Sequence, residues 1–381
     1  MQKLLIKMKD DLFAAGITNK ELAGRLGINE KKVSYYLNGK TQFSFQCFTE
    51  TLMHLYKYNP ELRKACLLEY CNKIKGNKNL KIGLEFVHAR GEFDLLEALI
   101  KKAELSKDDV TKEWAEVYHI LYKRSKENLV GKSLLTEVEK KRKTIKGTEM
   151  NLLLDIIYCY GIYDISDFRF LSSYACDVKE KIENEIPQKE KFLKQSFTIK
   201  INESIHATYL SLCKIKEARE YTSYLMKYLG EPGEYPISQA SALNVIGESY
   251  IFEDYNKAKI YLEQALYVLG DTFNDKMKNK KRCIMNTLNF LKLYHGKDLD
   301  GLYLTDPAEI AFLEIKKGNK ERAIQILNGI EKENGKLSAF QLCYMGIAKE
   351  DRKLIEKSLN EFEKNGNIFY TQLPKKYLGI L

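Results

Sequence analysis

The chain has 381 residues, 44% of them hydrophobic, with 62 Lys+Arg against 52 Asp+Glu for a formal charge of +10. Ordinary apolar content excludes wholesale disorder, and the absence of any apolar run of about 18 residues excludes a membrane span. Only 6 prolines and 22 glycines punctuate it, so helices are expected nearly throughout.

The opening MQKLLIKMKDDLF has an apolar pattern broken by charges and no small-residue cleavage site, which reads as a first helix and not a signal peptide. Residues 17–40, ITNKELAGRLGINEKKVSYYLNGK, then fit a helix-turn-helix. Leu22, Ala23 and Leu26 put one apolar face on a short helix. Gly27 supplies a left-handed exit, and Asn29 sits where an N-cap belongs. Val33, Tyr36 and Leu37 repeat the apolar face, and Gly39 offers a stop. Glu30, Lys31, Lys32, Ser34 and Tyr35 remain outward, with Lys20 and Lys40 flanking them, and would meet bases and phosphates in a major groove. A helical hairpin without a ligand has the same pattern, but charge favours DNA. Residues 1–82 hold 15 Lys+Arg against 7 Asp+Glu, leaving a nearly neutral remainder. Residues 1–60 are therefore expected to form a DNA-binding domain.

Residues 61–381 read as helices separated by short polar breaks such as HARGEF, GEPGEYP and KKGNKE. The expected fold is all-α, a right-handed α-solenoid of degenerate tetratricopeptide-like repeats; a generic helical bundle is the alternative. The clearest unit spans residues 241–270. Leu243, Ile246, Gly247 and Tyr250 have first-helix spacing, and Ala258, Leu262 and Ala265 have second-helix spacing. Gly247 and Ala258 are small so that the paired helices approach, while Tyr250 and Leu262 fill the space beside them. Segments around Ala218 and Ala323 resemble further second helices, at intervals of 40 and 65 residues.

A solenoid of this kind presents its first helices to an extended peptide. Asn202, Asn244, Asn286 and Asn289 lie on three expected first helices, where a carboxamide can both donate to and accept from a peptide backbone. Glu203 and Glu248 could pair with an amino terminus or an arginine.

The eight cysteines are scattered without a C-x-x-C and are expected to be buried and reduced. Trp114 is expected between helices. Phosphate-loop, dinucleotide, H-E-x-x-H and G-x-S-x-G motifs are missing. Glu116/His119 and Glu203/His206 have the Glu-x-x-His spacing of di-metal bundles, a spacing that chance also supplies in a Glu-rich helical chain. Neither catalysis nor any metal or cofactor is expected.

The stretches MQKLLIKMKDDL, KTIKGTEMNLLLDIIYCY, GESYIFEDYNKAKIYL and YTQLPKKYL resemble the arbitrium receptors of temperate phages, with FEDY (252–255) and TEMN (148–151) the most specific pieces. The resemblance spans nearly the whole chain. It implies a homodimeric transcription regulator in the host bacterial cytoplasm, paired through its C-terminal helices. In that family a short secreted peptide re-enters host cells, binds the repeat concavity and releases the receptor from its operator, which lowers transcription of a negative regulator of lysogeny. The peptide-holding helices would be those around Asn202, Asn244 and Asn286, with His206 and Asn367 at the remaining positions. Two departures stand out: Gly366-Asn367 replaces an expected acidic residue, and His206 an expected asparagine. The competing reading is a repeat protein that inhibits protein partners in response to a peptide without binding DNA.

Overall fold

The computed structural model describes residues 1–230, 235–270 and 274–381. Residues 231–234, in the break expected at GEPGEYP, lie outside the described residues. The described regular structure is helical, with no strand among the described residues. No helix among them is long and apolar enough to cross a membrane. The chain divides into two compact units, Met1–Leu129 with Glu139–Asn151, and Val130–Val138 with Leu152–Leu381.

The first unit opens with α1 (Gln2–Ala14), α2 (Asn19–Leu26), α3 (Glu30–Leu37) and α4 (Phe45–Leu55). It continues through α5 (Pro60–Lys73), α6 (Asn77–Arg90), α7 (Phe93–Glu104) and α8 (Asp109–Lys126). The boundary expected after residue 60 falls at the first residue of α5, inside this unit. The core joins the two sides of that point. Tyr36 stacks on Phe43 at 4.5 Å and Phe48 on Tyr70 at 4.1 Å between ring centroids. The Tyr70 hydroxyl donates to the Phe43 carbonyl (2.6 Å), and Asn79 both donates to that carbonyl (3.1 Å) and accepts from the Phe45 N–H (3.0 Å). Buried polar groups matched in this way fix the backbone of residues 43–45 against α5 and α6. Trp114 is buried and stacks on Tyr118 with 5.9 Å between ring centroids.

The helices α9 (Gly131–Arg142) and α10 (Thr148–Asp164) contribute to both units. The second unit continues with α11 (Phe168–Glu185), α12 (Lys191–Ser211), α13 (Ile215–Tyr228), α14 (Pro236–Ser249), α15 (Tyr255–Leu269) and α16 (Asp275–His295). Then follow α17 (Pro307–Lys316), α18 (Lys320–Asn334), α19 (Ala339–Lys349), α20 (Arg352–Lys364), a 3₁₀ turn at Phe369–Thr371 and α21 (Gln372–Leu378).

Each helix from α11 to α20 packs on its sequence neighbours, while α12, α14 and α16 also touch in turn, as do α17 and α19. This is the stacking of a solenoid, first helix on first helix. The expected second helices are α13, α15 and α18, and their Ala218, Ala258 and Ala323 are fully buried. A Cβ on Gly247 would lie 2.8 Å from Leu262 Cγ and 3.1 Å from the Ala258 carbonyl oxygen, so α14 and α15 approach as closely as their small residues allow. The same closeness recurs at Gly346 of α19, where a Cβ would meet the Ile355 amide nitrogen of α20 at 2.9 Å.

The 65-residue interval between Ala258 and Ala323 has a structural cause. The 21-residue α16 stands as a first helix, but residues 296–306 follow it without a second helix before α17 begins the next pair.

The cysteine expectation needs one correction. Five thiols are buried and all eight are free, but Cys176 and Cys213 are half-buried and Cys283 is exposed. On α16 its helical position puts Cys283 beside exposed Arg282, away from the buried Ile284 and Leu288.

Candidate functional site

The turn between α2 and α3 is built by the caps of those helices. Thr18 and Glu21 form a capping box at the start of α2: the Thr18 hydroxyl accepts from the Glu21 N–H (3.2 Å), and the Glu21 carboxylate accepts from the Thr18 N–H (2.8 Å). The Thr18 N–H, and the Thr18 hydroxyl that also donates to the carboxylate (2.9 Å), hold the Glu21 carboxyl below its usual range. Gly27 closes α2 with φ 61°, and the Asn29 carboxamide accepts from the Lys32 N–H at 2.8 Å to open α3. Leu22, Ala23, Leu26, Val33, Tyr36 and Leu37 are buried, which leaves Lys20, Glu30, Lys31, Lys32 and Lys40 exposed. Ser34 and Tyr35 are half-buried and partly engaged. The Ser34 hydroxyl accepts from the Asn38 amide (3.2 Å), while the Tyr35 ring lies 5.7 Å from the Lys31 ammonium and 5.5 Å from that of Lys40.

In the second unit, polar groups gather on the first helices α12 and α14. The Asn244 amide donates to one Glu248 oxygen at 3.2 Å, and the Tyr370 hydroxyl donates to the other at 2.7 Å. Burial pushes the Glu248 carboxyl above its ordinary range, against the lowering effects of Tyr370, Asn244 and the Lys280 ammonium. The Asn244 Oδ1 is buried without a hydrogen-bond partner among the described residues. On α12 the Asn202 amide donates to the Thr198 carbonyl at 2.7 Å, and its Oδ1 is likewise buried without a partner among the described residues. Two unmet carboxamide oxygens on touching helices are acceptors that a ligand's N–H donors would satisfy.

The remaining predicted residues fall elsewhere. His206 is fully enclosed, its Nδ1 3.0 Å from the Thr222 hydroxyl of α13. Because the Thr222 hydroxyl already donates to the Ala218 carbonyl (2.7 Å), the His206 Nδ1–H is the donor of that pair. Burial, assisted by Lys280, lowers the His206 pKa to about 3 and keeps the ring neutral. Glu203 and Asn367 are half-buried. Asn286 and Asn289 line a depression with Lys278, Lys281, Arg282, Met285, Tyr303 and Thr305 that includes none of Asn202, Asn244 or Glu248. At about 100° per residue, Asn289 stands on the far side of α16 from Lys280, the residue that acts on Glu248 and His206.

The glycine at 366 also has a local reason. Its φ is 68°, and a Cβ there would sit 2.9 Å from the Ser166 carbonyl oxygen and 3.0 Å from the Phe168 ring. No acidic side chain fits at that position in this fold. As for the Glu-x-x-His pairs, Glu116 is bound to Lys141 at 3.0 Å, and His119 stands 3.8 Å from Glu104.

Sequence reasoning missed Tyr370 as a partner of Glu248. Its segment, YTQLPKKYL, is distinctive as a string, but no periodic pattern announces a hydrogen bond across 122 residues. It also missed Glu309 of α17, whose Oε2 is buried without a partner among the described residues and whose carboxyl pKa burial, with Asp306 nearby, raises to about 8.

Residues 63–379 match the family of AimR transcriptional regulator-like proteins. The chain belongs to this family. Among curated proteins it is similar to an uncharacterized protein of Bacillus anthracis, 37% identical over 66% of this chain and 92% of that one. It is also similar to the AimR transcriptional regulator of Bacillus phage phi3T, 24% identical over 83% of this chain and 81% of that protein. Among solved structures, selenomethionine phAimR superposes with a TM-score of 0.75 at 21% identity, covering 99% of this chain and 96% of that one. A structure described as phAimR with ligand gives 0.71 at 22% identity, covering 86% and 94%. These two establish the shared fold. The AimR-like family is one of transcriptional regulators and not of enzymes, so the catalytic reading is set aside.

Proposed function

We propose that this AimR-like protein is a homodimeric, DNA-binding regulator of the lysis–lysogeny decision of a temperate phage, acting in the host bacterial cytoplasm and released from its operator by a short peptide. The observation that carries the reading is the exposed cationic face of α3, presented after a capped α2 and a left-handed Gly27. In this reading α3 enters the major groove, with Lys31 and Lys32 on phosphates and Lys20 and Lys40 flanking them. Glu30, Ser34 and Tyr35 stand at the groove-facing side.

The peptide half of the reading is supported by the unmet oxygens of Asn202 and Asn244 beside Glu248. Backbone N–H groups of an extended peptide suit the two carboxamide oxygens, and a cationic group suits Glu248. Glu203 and Asn367 flank this cleft in the proposal, and His206 acts through packing under Asn202. Asn286 and Asn289 are assigned elsewhere, because the depression they line holds none of the cleft residues. A peptide that binds one curvature of the solenoid more tightly shifts the population of dimers able to span two half-sites, in proportion to its differential affinity.

The test is a fluorescence titration of labelled DNA from upstream of the chain's own gene. The Lys31→Ala/Lys32→Ala variant is expected to bind more weakly and to lose about 0.9 from the log–log salt slope per lost phosphate contact. Unchanged affinity and slope would overturn the α3 interface in favour of a protein-binding repeat scaffold. In the second arm, Asn244→Ala lowers affinity for a peptide encoded by an adjacent short reading frame by roughly 1–3 kcal/mol.

A further inference from the structure

The missing second helix after α16 leaves an unusual surface. In the flanking repeats the outer face of the first helix is covered by a second helix, α15 on α14 and α18 on α17. On α16 that place is taken by residues 296–306, anchored through Leu299, Leu302 and Leu304 to the core. The result is a depression of about 350 Å³ lined by Lys278, Lys281, Arg282, Met285, Asn289 and Tyr303, among others.

Its chemistry is one-sided. Lys278 and Arg282 form no ion pair or side-chain hydrogen bond among the described residues, and Lys281 reaches only the Gly270 carbonyl, at 3.2 Å. The nearby acid Asp306 is turned away, accepting from the Ala308 N–H at 2.8 Å to cap α17. Asn289 is only 6% exposed, and its amide has no hydrogen-bond partner among the described residues. Asn289 also lines the depression, so its carboxamide is a polar group there that can donate to or accept from a ligand's polar edge. Beside it the Tyr303 ring is 82% exposed and Met285 is also solvent-exposed, which offers an apolar platform.

We propose that this depression binds a small phosphate-bearing ligand with a flat ring, of the nucleotide class. Lys278, Lys281 and Arg282 fall within one turn of α16, a rise of about 6 Å. They converge on one cluster of phosphate oxygens instead of tracking a nucleic-acid strand. The guanidinium of Arg282 grips phosphate oxygens as a fork, Asn289 meets a polar edge, and the ring lies on Tyr303 and Met285. The volume is at the lower end of small-molecule sites, suited to a mononucleotide and too small for an extended peptide. The proposal does not depend on the peptide reading, because the lining includes neither Asn244 nor Glu248.

Isothermal titration of the full-length protein with ATP, tripolyphosphate and adenosine tests this. The Lys31→Ala/Lys32→Ala variant serves as background, so that binding to the basic N-terminal helices is removed. One saturable ATP site per chain is expected, weakened at least tenfold by Arg282→Ala and by Asn289→Leu, with unchanged circular dichroism. Tyr303→Ala is expected to weaken ATP but not tripolyphosphate, which separates ring contact from phosphate contact. Absence of saturable ATP binding, ATP affinity unaffected by Arg282→Ala, or tripolyphosphate binding as tightly as ATP would each overturn the assignment. Loss of duplex-DNA affinity in Arg282→Ala without any ATP site would reassign the cations to nucleic acid.

Discussion

The Tyr370 hydroxyl donates a 2.7 Å hydrogen bond to Glu248, joining the 3₁₀ turn near the C-terminus to the first helix α14 across 122 residues. Tyr370 also packs edge-on against Phe252, Phe290 and Phe340, at 6.0, 5.6 and 4.9 Å between centroids. The C-terminal segment therefore forms part of the environment that sets the charge of Glu248.

Removing that hydroxyl has a defined electrostatic sign. The Tyr370 hydrogen bond lowers the Glu248 pKa against burial, so Tyr370→Phe raises it further. Carbon-13 NMR titration of the Glu248 carboxyl is expected to show the upward move. Urea unfolding is expected to show a loss of about 1–3 kcal/mol from the weakened buried pair. An unmoved titration would remove Tyr370 as the partner in solution.

The close approaches at Gly247 and Gly346 predict an order of costs. Gly346→Ala puts a Cβ against a backbone amide at 2.9 Å, and Gly247→Ala against a Leu262 side chain and the Ala258 carbonyl. Both are expected to destabilise by roughly 1–3 kcal/mol, Gly346→Ala more, because backbone yields less than a side chain. Gly24 on α2 has nothing within 4 Å of its notional Cβ, so Gly24→Ala is expected to stabilise by up to about 1 kcal/mol through helix propensity. Thermal unfolding of the three variants checks the order.

His206 sets part of the acid limb of stability. Its folded pKa is lowered to about 3 while the ordinary value is 6.5, so between those values the unfolded chain binds the extra proton. Stability from this group is present above the ordinary value and is lost as pH falls, by up to about 1.4 kcal/mol per pH unit. His206→Gln should flatten the difference in urea midpoint between pH 4 and pH 7. An identical pH profile in the variant would contradict the buried neutral ring.

Glu309 acts with the opposite sign. Its folded pKa is raised to about 8 from 4.5, so the folded state holds the extra proton and stability declines as pH rises between those values. Glu309→Gln is neutral at every pH and keeps the shape. It is therefore expected to become more stable than the parent by a margin that grows from pH 5 to pH 8 to a few kcal/mol. Chemical denaturation at the two pH values measures that margin.

Much of the local structure was legible because it depends on neighbours in sequence. Gly27 and Asn29 bound α2 and α3 as expected, and the Gly247, Ala258 and Leu262 spacing located a helix pair whose contacts match the reasoning from small residues. Asn202, Asn244 and Glu248 lie on first helices, as helical spacing indicated. Asn286 and Asn289 also lie on a first helix, α16, where they line a depression that includes none of Asn202, Asn244 and Glu248. Ser34 satisfies the spacing for an outward residue, but its hydroxyl is engaged by Asn38 at the end of its own helix.

By itself, the sequence determined the helices, their caps and the small residues that let partners approach, since each depends on periodicity or on bonds spanning a few residues. The tertiary structure alone decided that Tyr370 meets Glu248, that Ser166 leaves room only for glycine at 366, and that an uncovered face on α16 holds three cations around Asn289. Those relations depend on how successive helix pairs are rotated and displaced against one another. That geometry emerges from the summed packing of many side chains and leaves no short-range pattern to read.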